Sequence, residues 1–274
     1  MAEKLFITDL DGTLFTDERT VHPDDYRVLE ALRNNGVLVA LATGRSLYSY
    51  EKAMRTMKEN GGPDSLPLDF ILFSTGAGIF DCRAGRIIYK REIPPERIPV
   101  ITDCLENRQI DYMVHAAIPD TRHFLYRSFG TDNPDFNRRI QMYNSYGRRL
   151  EPGHQHTMPA TEVLGIIPDP GPGFSTGPLA RELRDFSVIH ATSPLDHRSA
   201  WIEVFHKDVS KSRTAEYLAG ETGIRFENIV SVGNDYNDRD LLEWSGRGFI
   251  TQNGPDTMKG QFEVVPSNNS CGVA

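Results

Sequence analysis

The sequence predicts an α/β protein, a doubly wound parallel sheet interrupted by an inserted α+β module. Three observations carry this. Short, continuous apolar runs at residues 5–7, 37–42 and 69–74 alternate with segments of helical period. The alternation lapses near residue 80 into strands mixed with helices, then resumes near residue 207. The early runs end in polar stretches that carry glycine, and in open α/β sheets ligands bind beyond those strand ends.

The first run is Leu5, Phe6 and Ile7. After His22, PDDYRVLEALRNNG has Pro23 at a first helical position, acids in the first turn and Gly36 at the exit. Tyr26, Leu29 and Leu32 supply its buried stripe. VLVALA, residues 37–42, is too short for a helix and reads as a central strand covered on both faces. SLYSYEKAMRTMKENGG sets Leu47, Tyr50, Met54 and Met57 at helical spacing before closing glycines, with Ser46 available to cap it. DFILFS, residues 69–74, is the third strand and leads into TGAG.

From IFDCRAGRIIYKREI the chain predicts a hairpin turning at Arg83 to Gly85, then a short helix to about Asn107. YMVHAAI, HFLYRSF, EVLGIIP, FSVIHA and AWIEVF read as strands, and PDFNRRIQMYNSYG and GPLARELRD as helices. Pro168 to Pro178 is loop-like by its Pro and Gly content. The first pattern returns with a helix over VSKSRTAEYLAGETG, a buried strand NIVSVG at 228–233, a helix end and strand in LLEWSGRGFIT, and a last strand in FEVVP.

Composition bounds the function. The 274 residues are 39% hydrophobic and 25% charged, as globular domains are. A net charge of -8 disfavours nonspecific binding to nucleic acid or anionic membranes. Cys82, Cys104 and Cys271 are widely spaced, which points to neither a disulfide framework nor a thiolate metal site and fits a reducing cytoplasm. The N-terminal MAEKLFITD lacks the apolar core of a signal peptide, and no run reaches membrane-spanning length.

The chemistry concentrates in DLDGTLF, Asp9 to Phe15. Two carboxylates two positions apart at the end of a buried strand are unfavourable unless they bind a metal or react. A phosphoryl-transfer centre needs a nucleophile, a cation and a proton donor. Asp9 suits the first and also metal ligation, and Asp11, on the same side of an extended strand, suits the acid/base role. Gly12 permits the tight turn and Thr13 offers a hydroxyl to fix it. The alternative is an acidic turn after an edge strand.

Four features stand in fixed order: DLDGT, ATGR ending at Arg45, Lys211 at a helix start, and GNDYND from Gly233 to Asp238. The set resembles the haloacid dehalogenase superfamily of phosphohydrolases, and within it the Cof-type branch, subclass IIB with a C2 cap inserted between the second and third motifs. The resemblance implies a Rossmann-like core over 1–82 and 207–274, a mobile α+β cap over 83–206, and Mg2+. Asp9 matches the nucleophile and Asp11 the acid/base, its main-chain carbonyl also on the metal. Thr43 matches the hydroxyl that holds the phosphoryl group, and Lys211 the cation that neutralises it. Gly44, Arg45 and Asn237 join them as substrate contacts, with a salt bridge to a core acid as the alternative for Arg45.

The family run Gly-Asp-x-x-Asn-Asp departs here, because Asn234 stands where the metal-binding Asp is usual. The implied metal set is therefore Asp9, Asp11, Asn234 and Asp238, with Asp235 able to compensate for the missing charge. The expected activity is hydrolysis of a small phosphorylated metabolite, a sugar phosphate by class. A phosphomutase, or a weakened metabolite-binding protein, is the alternative. No nucleic-acid or membrane partner is expected, and the chain is expected to be a monomer or small homo-oligomer.

In the insert, His115, Arg122, His123, Tyr126 and Arg127 are expected either to face the cleft or to pack, and the basic group of Arg138 and Arg139 with Arg148 and Arg149 to be a solvated helix face rather than a nucleic-acid site. The closing SNNSCGVA resembles a stretch that leads into a last helix in this family, so the chain is expected to be truncated or short there.

Overall fold

The computed structural model describes residues 3–130, 132–151, 153–171 and 173–274. Parts of the N-terminal reading (residues 1–2) and of the loop expected over 168–178 (Pro172) lie outside them. In chain order the elements are β1 (Leu5–Thr8), α1 (Pro23–Asn34), β2 (Leu38–Ala42), α2 (Leu47–Glu59), β3 (Phe70–Phe73), β4 (Gly78–Asp81), β5 (Arg86–Lys90), α3 (Ile98–Glu106), β6 (Asp111–Ala116), β7 (Phe124–Arg127), α4 (Pro134–Met142), β8 (Gly147–Arg149), β9 (Ala160–Ile167), α5 (Gly177–Glu182), β10 (Phe186–Thr192), β11 (Ala200–His206), α6 (Lys211–Thr222), β12 (Ile229–Gly233), α7 (Arg239–Trp244), β13 (Arg247–Thr251), α8 (Asp256–Lys259) and β14 (Glu263–Val265).

The chain divides into two compact units, residues 1–89 with 210–274, and residues 90–209. The first holds a sheet ordered β14-β13-β12-β1-β2-β3-β4-β5, parallel from β14 through β3. From β1 the chain steps to β2 and β3 on one side, and returns as β12, β13 and β14 on the other. The order therefore reverses at β1, the point where α/β sheets open a crevice. β5 joins this sheet's edge beside β4, so the first unit runs to Tyr89 and not only to residue 82.

Both faces of the central strands are covered. Leu5, Ile7, Ala40 and Ala42 pack on Ala215, Leu218 and Leu241 of α6 and α7. The alternate residues Phe6, Val39 and Leu41 are buried as well. This is why the strands read as unbroken apolar runs. Ser46 caps α2 through Ser49 N, and Gly223 ends α6 at φ 70°, where glycine avoids the left-handed penalty.

The second unit holds a sheet ordered β10-β11-β9-β6-β7-β8, antiparallel except between β7 and β8. One face packs Tyr112, Val114, Val163 and Ile202 against Ile101 and Leu105 of α3 and Leu179 of α5. The other packs Met113, Leu164 and Trp201 against Phe136 of α4. β8 is absent from the sequence reading because three residues, two of them exposed arginines, carry no apolar alternation. No helix among the described residues is long and apolar enough to cross a membrane.

Candidate active site

Asp9 follows the last residue of β1, and its N–H continues the ladder to Val232 O of β12 at 2.9 Å. Asp9 is 5% exposed. Lys211, the first residue of α6, is fully buried, with Nζ 2.7 Å from Asp9 Oδ1 and also bonded to Asp238 Oδ1. Two distant strand ends thus share one ammonium.

Asp238 differs from its expectation. Sequence reasoning places it among the metal ligands, whereas Oδ1 accepts from Lys211 and Oδ2 accepts from the N–H groups of Asn234 (2.8 Å) and Asp235 (3.0 Å). Both oxygens are engaged, and the residue shapes the 233–238 turn while holding Lys211. Its closeness requires glycine at 233, where a Cβ would lie 2.5 Å from Asp238 Cγ. Asp235 forms a capping box with Asp238, its side chain directed to that turn. Asn237 is half-buried within the same turn.

Asn234 is the member of the motif that reaches the first strand. With its amide nitrogen turned inward it donates to Asp11 O (2.9 Å), Asp9 Oδ2 (3.2 Å) and Thr13 Oγ1 (3.0 Å). Turned the other way, its oxygen accepts from Thr13 Oγ1 at 3.0 Å. Gly12, at φ 78°, leaves room for it, because a Cβ there would sit 2.5 Å from Asn234 Nδ2. Asp9 Oδ2, the Asp11 carbonyl and the Asn234 amide are hard oxygen donors around one locus, a set that fits a divalent cation such as Mg2+. In the nitrogen-inward orientation the amide N–H meets the same oxygens, a place that favours positive charge.

The Asp11 carboxylate is taken up by Arg45. Arg45 holds both oxygens, Nε to Oδ2 and Nη2 to Oδ1, each at 2.6 Å. Of the two alternatives open for Arg45, this is a salt bridge, to an acid that is itself half-buried. Thr43 is 1% exposed at the end of β2, its Oγ1 accepting from Arg45 N at 3.1 Å, and Gly44 lies exposed between them.

Burial pushes the Asp9 carboxyl up to about 7 against the pull of Lys211, with the charges on Asp238 and Asp11 adding to the rise. Burial works against the Lys211 ammonium, but the charges of Asp238 and Asp9 hold its pKa above the ordinary lysine value.

Sequence reasoning missed the brace behind Thr43 and Lys211. Ser74, Thr75 and Gly76 have φ of 49°, 54° and 96°, an uncommon left-handed run. Ser74 N bonds Arg45 O, Thr75 N bonds Thr43 O, and Gly76 O accepts from Thr214 Oγ1 of α6 at 2.6 Å. The loop joins the end of β2 to the start of α6. Only the glycines of TGAG hinted at it.

The residues singled out in the insert pack within their own unit. His115 is buried with Nδ1 on Thr121 O, Arg122 and His123 lie against Tyr146, Tyr126 meets Phe136 edge-on, and Arg127 covers Phe129. Arg139 is not on a solvated face, because it stacks 4.5 Å over Trp201, while Arg138 donates to Leu195 O.

The profile of the haloacid dehalogenase-like hydrolases matches residues 6–274. Among curated proteins, the chain is 24% identical to 5-amino-6-(5-phospho-D-ribitylamino)uracil phosphatase YitU of Bacillus subtilis, covering 98% of this chain and 94% of that one. It is 22% identical to phosphatase YwpJ of the same organism, covering 99% and 97%. Among solved structures, the subclass IIB sugar phosphatase BT4131 superposes with a TM-score of 0.73 at 16% identity, covering 98% and 96%, a likeness of fold. With the ordered motifs and a profile match running almost end to end, the chain belongs to the haloacid dehalogenase-like hydrolases.

Proposed function

We propose that the protein is a Mg2+-dependent phosphatase that hydrolyses a small phosphorylated metabolite, a sugar phosphate by class, through an aspartyl phosphate on Asp9. The observation that carries this reading is the position of Asp9, with Oδ1 against Lys211 and Oδ2 toward Asn234 and the Asp11 carbonyl. The names of a ribitylamino-phosphate phosphatase among its relatives and a sugar phosphatase among its fold neighbours support the substrate class.

Asp9 Oδ2, the Asp11 carbonyl and Asn234, its amide turned oxygen-first, would hold the ion, which when bound offsets repulsion between carboxylate and phosphate. Asp9 Oδ1 attacks phosphorus, the bond to the leaving oxygen breaks, and that oxygen takes a proton from Asp11. Water then attacks the phosphoaspartate and gives its proton to Asp11, releasing phosphate and restoring Asp9. Lys211 stays charged throughout and offsets the negative charge gathered at Asp9. Thr43 donates to the transferred group. Asp11 has to leave Arg45 before it can serve, which frees the guanidinium for an anionic substrate.

Phosphate release from a panel of phosphorylated metabolites with Mg2+ tests the reading. Asp9→Asn is expected to lower kcat by at least about 1000-fold and to abolish acid-trappable labelled protein. Retained turnover in that variant removes the covalent route. Asn234 favours a second reading, a metabolite-binding protein with a weakened metal site; no Mg2+ binding at millimolar metal, together with no turnover, would favour it.

A further inference from the structure

Away from Asp9, three donor atoms of different chemistry converge at the start of α1. His22 Nδ1 lies 3.0 Å from Cys271 Sγ and 3.7 Å from Asp24 Oδ2. Cys271 Sγ is 3.8 Å from the same Asp24 oxygen. All three residues are partly exposed. We propose that His22, Asp24 and Cys271 form a second metal site in this protein, for a zinc-like divalent transition ion with water in the fourth position.

The triangle has the right size. Bonds of about 2.3 Å to sulfur and about 2.0–2.1 Å to nitrogen and oxygen place tetrahedral ligand atoms roughly 3.3–3.6 Å apart. Each observed edge is within about half an ångström of that range. The donor set also has the right character, since thiolate and imidazole select zinc-like ions over Mg2+, whereas the oxygens around Asp9 do the reverse.

The ligands are held before any ion arrives. Asn268 Nδ2 donates to Phe15 O and to Asp17 Oδ1, each at 3.0 Å, and fastens one side of the Cys271 turn. The N–H groups of Val273 and Ala274 fasten the other, on Asp25 Oδ1 at 3.1 and 2.8 Å. Cys271 itself sits at φ 60°, a left-handed position that aims its thiol at the helix start.

A second observation points to a cation. Asp25 is fully buried, and its other oxygen, Oδ2, has no hydrogen-bond partner. Asp25 adjoins Asp24 in the chain and is tied through Oδ1 to the residues that follow Cys271. An ion at the triad would compensate that carboxylate.

Binding requires two exchanges. His22 Nδ1 gives up the hydrogen bond it accepts from Asp24 N at 3.2 Å, and the Cys271 thiol releases its proton to solvent as sulfur becomes a ligand. Asp24 keeps Arg27 on its Oδ1 and offers Oδ2.

Titration with Co2+ in reducing buffer separates this site from the one at Asp9, because only a thiolate ligand produces a sulfur-to-cobalt charge-transfer band. The band is expected in the wild type, in Asp9→Asn and in Cys82→Ser, and is expected to vanish in Cys271→Ser. His22→Asn, which caps the helix with an oxygen in place of Nδ1, should weaken Co2+ binding at least about tenfold. Zn2+ should raise Tm in the wild type and leave that of Cys271→Ser unchanged. Absence of the band at saturating Co2+, or its survival in Cys271→Ser, overturns the proposal and leaves a hydrogen-bonded helix cap. Should Cys271→Ser fail to fold, the His22→Asn comparison decides.

Discussion

Lys211 Nζ lies 2.7 Å from Asp9 Oδ1, a fully buried contact between residues 202 positions apart. The same ammonium holds Asp238, so removing it leaves two buried carboxylates facing each other. Breaking one partner from a buried ion pair typically costs about 3–5 kcal/mol. Lys211→Met is expected to lower Tm and to reduce kcat by roughly 100- to 1000-fold. Adding Asp238→Asn should recover part of the stability and none of the activity. A double-mutant cycle read by thermal unfolding and phosphate release checks both.

The Asp9 carboxyl, raised by burial to about 7 from an ordinary 3.8, predicts how metal affinity varies with pH. Below that value the metal-free protein carries a proton that the ion must displace. Apparent Mg2+ affinity should therefore fall by up to about tenfold per pH unit as pH drops below 7, and level off above it. Calorimetry in buffers of different ionisation enthalpy reads the released proton, which should disappear in Asp9→Asn.

Asn234→Asp restores a charged ligand 3.2 Å from Asp9 Oδ2. Mg2+ binding should tighten by about tenfold or more, since ligand charge sets affinity for hard cations. With a chelator the extra carboxylate should lower Tm, and with Mg2+ it should raise it. Unchanged affinity would mean that the 234 side chain does not touch the ion.

His115 is buried, and burial pushes its pKa down to about 3, with the Arg139 charge adding to the effect and the Thr121 hydrogen bond opposing it. The unfolded chain, titrating near 6.5, binds a proton that the native chain refuses. Stability should fall as pH drops from 6.5 toward 3, by up to about 1.4 kcal/mol per pH unit from this residue. His115→Phe, which keeps a ring beside Phe124, should flatten the slope of denaturation free energy between pH 6.5 and 4 relative to the wild type.

The scaffold was legible because its physics is local. A strand buried on both faces has to be apolar along its length, so LFIT, LVALA and FILF announced themselves, and their polar ends could be found by where the apolar character stopped. Asp9 and Lys211 were found as members of an ordered set. Arg139 was misread because an arginine that stacks on Trp201 is indistinguishable in sequence from one in water.

The sequence by itself determined the layered α/β core, its interruption, and which short motifs end which strands, since each follows from apolar periodicity and backbone preference within a few residues. Only the tertiary structure decided the pairing of charges across strand ends: Asp238 with Lys211, Asp11 with Arg45, Asn234 with Asp9. A carboxylate carries several equivalent lone pairs, and which neighbour receives them depends on the close approaches that Gly12, Gly76 and Gly233 allow. No pattern along the chain encodes that.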